Sequence, residues 1–145
     1  MQSRDLDSKF FLTHYYLAGI YTAHQRFADA LPCAEKAFSL APWYRATIGL
    51  YAALLVRMGQ PERGKEVLKE LGSSDTYGWA RGMALFHTCC DQIDLAADSF
   101  EKAIQERDPH AAVILQSAVG TPLRRSPRWP RLAALMNLPA SAGSY

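Results

Sequence analysis

Side chains with catalytic or ligating chemistry are few in this chain, and they are scattered. His87, Cys90 and Asp91 fall at i, i+3 and i+4, on one face of a helix, the spacing of half a metal site. A closed or catalytic site needs three or four ligands, and no second pair stands ready to complete this one. His87 and Cys90 therefore read as a packed histidine and a small buried thiol. Cys89 and Cys90 are neighbours, and adjacent helical side chains point apart, so a bond between them would distort the helix. His14, His24 and His110 have no serine or cysteine elbow beside them, which leaves no nucleophile–base pair. Gly19, Gly49, Gly59 and Gly64 are spread over helices and turns rather than gathered into a phosphate-binding loop. The sequence assigns no catalytic residue, no metal and no cofactor, and the expectation is a protein that is not an enzyme.

One basic stretch stands out. Arg124, Arg125, Arg128 and Arg131 surround Trp129, and with Asp108 the chain from there onward carries +3 of a net +2, leaving −1 for the rest. Such a stretch can touch RNA or an acidic peptide. Four arginines fall short of a phosphate track, so a solvated face on a helix whose tryptophan packs inward is the preferred reading.

Paired helices must position these residues. The first pair spans 11–24 and 27–40, turning at Gln25-Arg26-Phe27, and Pro42 opens the next helix. Leu17, Ala18 and Tyr21 on the first helix face small residues at one-turn spacing on the second: Ala30, Ala34 and Ala37. The second pair spans 43–58 and 61–71, with Gly59 as the stop and Pro61 as the start. The third spans 76–90 and 93–107, after a loop at Gly72-Ser73-Ser74-Asp75 and around a turn at Asp91-Gln92. An offset of 34 residues carries Gln25 onto Gly59, Ala18 onto Ala52 and Ala30 onto Gly64. An offset of 32 carries Ala52 onto Ala84, Gly59 onto Asp91 and Gly64 onto Ala96. Helices over 110–118 and from Ser126-Pro127 to about Asn137 follow, separated by Gly120-Thr121-Pro122.

The 34-residue helix–turn–helix period is similar to that of the tetratricopeptide repeat. Leu17-Ala18, Tyr21, Ala30, Ala37 and Pro42 match its positions in the first unit. Ala52, Gly59 and Gly64 match in the second, and Ala84, Ala96, Phe100, Ala103 and Pro109 in the third. Gln25 in place of the turn glycine, Ala34 in place of a large residue and Leu71 in place of a small one depart from it. The run from Arg107-Asp108-Pro109 to Leu138-Pro139 resembles the end of repeat arrays fused behind bacterial adenylate cyclase, winged-helix regulator or protein-kinase domains. The resemblance implies an all-α, right-handed superhelical solenoid: a lead-in or end of an earlier repeat over 1–9, repeats over 10–42, 43–75 and 76–109, a two-helix cap over 110–139, and a flexible tail over 140–145. Trp129, Leu132, Leu135 and Met136 are the expected covering residues of the cap.

In such a stack the first helices of each pair line a concave groove. The residues expected there are Leu12, Tyr15, Gly19 and Thr22, then Ala46, Gly49, Ala53 and Arg57, then Arg81, Leu85, Thr88 and Cys89. Of these, Leu12, Tyr15, Gly19, Thr22, Ala53, Arg57, Arg81, Leu85 and Thr88 form the candidate ligand-binding set, with Tyr15 as aromatic anchor and Arg57 and Arg81 meeting acidic groups. The other expected occupant is the chain's own upstream segment or tail. Lysines and asparagines of the kind that clamp a peptide carboxylate in related repeats are absent from this groove.

Length and composition agree with a globular, non-catalytic interaction module. At 145 residues, 49% apolar and 21% charged, the chain is long enough to bury a core and carries too little net charge for bulk nucleic-acid binding. Three cysteines, an odd number without framework spacing, suit reduced thiols in a cytoplasm. The polar opening has no apolar core of a signal peptide, and the longest apolar run, 48–56, is about half a membrane span. The expected partner is a protein or peptide in the groove. Self-association and RNA binding are the alternative functions.

Overall fold

The computed structural model describes residues 10–138; the lead-in over 1–9 and the tail, with Pro139, lie outside the described residues. Those described are helical, with no β-strand among them. The helices are α1 (Phe11–Ala23), α2 (Phe27–Leu40), α3 (Arg45–Arg57), α4 (Pro61–Leu68), α5 (Trp79–Cys89), α6 (Ile93–Gln105), α7 (Pro109–Leu115), α8 (Thr121–Arg124) and α9 (Trp129–Leu135). Short 3-10 turns cover Lys69–Leu71 and Ala118–Gly120. α1 packs on α2, α3 on α4 and α5 on α6; α2 also packs on α3, and α3 on α5.

Three turns share one backbone geometry. Gln25, Gly59 and Asp91, the residues aligned by the offsets of 34 and 32, have φ of 61°, 83° and 62°. Each lies just past a helix end. The next residue's N–H reaches back to the last turn: Arg26 to the Tyr21 carbonyl, Gln60 to Leu55 and Gln92 to His87, all at 2.8 Å. This is the left-handed cap that ties up orphan carbonyls at a helix C-terminus. Gln25 and Asp91 hold it without being glycine. Arg107 and Asn137 repeat it at the ends of α6 and α9, with φ of 62° and 59°.

Two helices start later than the sequence suggests. Trp43 and Tyr44 lie in a turn, Tyr44 being extended, so α3 opens at Arg45. Gly78, at φ 85°, reverses the chain directly before Trp79 and delays α5. Helix α4 tightens into a 3-10 turn at Lys69–Leu71, and Gly72 at φ 78° ends it.

Small residues sit at the contacts between helices. Ala18, Ala30, Ala37, Ala52, Ala84, Ala96 and Ala103 are fully buried. A Cβ on Gly64 would lie 2.8 Å from the Ala52 carbonyl oxygen, so the paired helices α3 and α4 meet almost backbone to backbone. The closest approach is between α3 and α5, where a Cβ on Gly49 would collide with the Gly82 carbonyl. Gly82 also makes room for Leu71: a Cβ there would meet both Leu71 methyl groups and, at 2.9 Å, the Arg45 carbonyl oxygen. The large Leu71, out of place in the repeat pattern, is fully buried because glycine faces it.

The packing of the helices is not uniform. α1 and α3 make only slight direct contact. An aromatic wedge stands between them: the Tyr44 ring meets Phe11 at 5.1 Å and Tyr15 at 5.5 Å, and Phe11 also meets Trp43 at 5.3 Å. The buried line of α1 is Phe11, Tyr15, Ala18 and Thr22. Leu17, expected to face the partner helix, is exposed because it lies one residue, about 100° of helix, beyond Ala18.

Beyond α6 the chain turns back over the open side. The Asp108 side chain caps α7 by accepting the His110 N–H at 3.0 Å. Arg124 donates to the Leu115 and Ser117 carbonyls, both at 2.6 Å, and so closes the end of α7. The break expected at Gly120-Thr121-Pro122 is the join between a 3-10 turn and α8. α9 lies on α6 with Trp129 and Leu132 buried and Leu135 and Met136 half-buried. Arg128 meets Asp98 at 2.8 Å and Glu101 at 3.2 Å, and Arg131 meets Glu101 at 2.9 Å. No helix among the described residues is long and apolar enough to cross a membrane.

Candidate functional site

The trough framed by α1, α3 and α5 is crossed by the chain itself. The 3-10 turn Ala118–Gly120 packs against both α1 and α5, with Val119 buried between them. Ala118 and Val119 line two separate cavities, one on either side of this bridge.

The first cavity is apolar and measures about 380 Å³. Tyr15, Tyr44, Leu50 and Leu85 form its inner wall, α7 supplies His110, Val113 and Ile114, and Tyr16, Gly19 and Ile20 stand at its α1 edge. A Cβ added at Gly19 would meet nothing within 4 Å. Tyr16, Ile20 and Val113 are more than 45% exposed, so the cavity opens through an apolar rim. Burial drives the Tyr15 hydroxyl well above the usual phenol range; nearby Tyr44, Cys89 and Tyr16 add to this and Arg81 opposes it. Tyr44 is also raised, chiefly by burial. Both phenols stay neutral, so this cavity presents apolar surface and hydroxyl groups.

Arg81 lies behind the first cavity. It is 5% exposed, and its Nε donates to Asp108 Oδ2 at 2.8 Å. It does meet an acidic group, as its type suggested, but the acid belongs to this chain. Its guanidinium also sits 5.8 Å from the Tyr44 ring centre and 5.9 Å from that of Tyr77.

The second cavity measures about 350 Å³ and is more polar than the first. It lies at the C-terminal ends of α1, α3 and α5, lined by Thr22, Arg57, Thr88, Cys89, Asp91 and Arg125 among others. The Thr22 and Thr88 hydroxyls donate to the Ala18 and Ala84 carbonyls, each at 2.7 Å. Arg57 stacks over the Phe27 ring at 4.5 Å. Burial pushes the Cys89 thiol up to about 12, so it is a neutral, inert group.

The nine candidate residues thus divide. Tyr15, Gly19 and Leu85 line the apolar cavity, and Thr22, Arg57 and Thr88 the polar one. Arg81 is paired to Asp108, Ala53 is fully buried, and Leu12 is on the exposed flank of α1. Gly49 faces Gly82 rather than the trough. Sequence reasoning missed Tyr16, Ile20, Val113 and Val119, and it placed Arg125 in the basic stretch rather than beside Arg57. For α1 a signal existed: Leu12, Tyr16 and Ile20 recur every fourth residue, a second apolar stripe beside the buried one. For Val119 none existed, since its place depends on how the last helices turn back.

No nucleophile is activated here. Ser117 borders the apolar cavity with His110, but its hydroxyl donates to the Ile114 carbonyl at 2.6 Å. His87 Nδ1 lies 2.8 Å from Gln92 Oε1, and the described residues hold no group of three or more His, Cys, Asp or Glu able to hold a metal ion. Comparison with protein-family models, with curated proteins and with solved structures finds no match to this chain.

Proposed function

We propose that the chain is a non-catalytic protein-interaction module built of tetratricopeptide-like repeats, serving as the regulatory or sensory part of a cytoplasmic bacterial signalling or transcription-regulatory protein. The observation that carries the interaction role is the apolar cavity between α1 and α7, with its exposed rim of Tyr16, Ile20 and Val113. Such a cavity fits one or two apolar side chains of a protein segment laid along α1, the arrangement in which buried anchors dominate affinity. Support for the repeat family comes from the shared left-handed turns at Gln25, Gly59 and Asp91 and from the buried small residues aligned with them.

A second reading is self-association. It is favoured by the concentration of five of the ten exposed large apolar residues of the described chain on α1 and its approach: Phe10, Leu12, Tyr16, Leu17 and Ile20. RNA binding draws less support, because Arg124, Arg128 and Arg131 are engaged within the chain.

Capture experiments from the source cell test the module. Tyr16→Ala and Gly19→Leu, which alter the cavity while leaving the buried line of α1 intact, should release partners that wild type and Glu66→Arg on the outer helix retain. Equal retention by all four proteins would refute the cavity as the binding site. Sedimentation across a dilution series separates the second reading, since a dimer lost in Tyr16→Ala assigns the rim to self-association.

A further inference from the structure

Ten arginines lie among the described residues, and seven of them donate to an acceptor within the chain. Arg57, Arg107 and Arg125 have no hydrogen bond or ion pair among the described residues, and two of these three, Arg57 and Arg125, line the same polar cavity. We infer that this cavity is an oxyanion site and that its ligand carries a phosphoryl group.

The stack of Arg57 on Phe27 holds one face of the guanidinium and leaves the N–H groups in its plane to point elsewhere. The Schellman-type turns take up the Tyr21, Leu55 and His87 carbonyls in the last turns of α1, α3 and α5. Asp91 is the one carboxylate in the lining and forms an ion pair with neither arginine, so two arginines and one acid line the cavity. A carboxylate has two oxygens, which a single guanidinium fork already satisfies, whereas a phosphoryl group presents three or more and can accept from both arginines. At about 350 Å³ the cavity has room for that group together with part of the molecule that bears it.

The site is independent of what fills the apolar cavity. Titrating the full chain with inorganic phosphate, read by the NMR signals of the arginine Nε–H groups, tests it. The Arg57 and Arg125 signals should move together and saturate in the millimolar range. Arg57→Gln and Arg125→Gln should each weaken binding at least about tenfold, and Arg107→Gln should change nothing. Acetate should bind at least about tenfold more weakly than phosphate. If Arg57→Gln loosens the fold, Arg57→Lys keeps the charge without the fork and should weaken phosphate binding to a similar degree. Unsaturating drift of all arginine signals, equal binding of acetate, or an equal loss in Arg107→Gln would overturn the assignment. Phosphoserine in a short peptide and ribose 5-phosphate, added in separate arms, tell whether the phosphoryl group comes from a protein or from a small molecule.

Discussion

Arg81 Nε donates to Asp108 Oδ2 across 2.8 Å in the interior, joining α5 to the first residue of the segment that crosses the trough. The two side chains are 6% and 2% exposed. Asp108 uses its other oxygen to cap α7 through the His110 N–H. One carboxylate therefore both starts α7 and fastens it. Asp108→Ala removes the cap and strands a buried guanidinium, so a loss of about 3–5 kcal/mol is expected in urea unfolding. Arg81→Met combined with Asp108→Asn should recover part of that loss, because no charge is left unpaired. A loss under about 1 kcal/mol for Asp108→Ala would mean that the pair is not buried as described.

The approach of α3 to α5 depends on two glycines. Gly49→Ala and Gly82→Ala each force backbone apart and should cost about 2–4 kcal/mol, read as a fall in the denaturation midpoint. Gly19→Ala, whose Cβ meets nothing, should stay within about 0.5 kcal/mol of wild type. Similar values at all three positions would contradict the close crossing.

The shared turn geometry makes an opposite prediction at aligned sites. Gln25→Gly relieves a left-handed residue and should stabilise by about 1 kcal/mol, whereas Gly59→Gln should destabilise by a similar amount. The paired helices were legible in the sequence because proline, glycine and small residues act locally. The stop at Gly59, the start at Pro61 and the alanines of the contact positions needed no knowledge of the rest of the chain. Gln25 and Asp91 gave no such signal, and only alignment to Gly59 marked them as turns. On α1 and α5 the face that lines the two cavities was legible by periodicity. Its division by Val119 was not, since Asp108 and Arg81 are 27 residues apart and no spacing rule links them.

Burial raises Cys89 from 9.0 to about 12, which ties stability to alkaline pH. The unfolded chain ionises this thiol near its ordinary value while the folded chain keeps it protonated. The stabilising contribution is therefore fully present below about 9 and is lost as pH rises toward 12. Unfolding curves between pH 8 and 11 should show a steeper decline for wild type than for Cys89→Ala. Identical slopes would contradict the burial of the thiol. In the same structure, half-buried Cys90 should react with iodoacetamide before Cys89 does.

Site-specific photo-crosslinking in the source cell tests the interaction role most directly. A photoreactive phenylalanine analogue replaces Tyr16 at the cavity rim in one protein and Asp98 on α6 in another. The interaction role predicts a discrete protein adduct from position 16, abolished when Gly19→Leu fills the cavity, and none from position 98. Adducts from position 98 alone, or adducts from position 16 that survive Gly19→Leu unchanged, would contradict it.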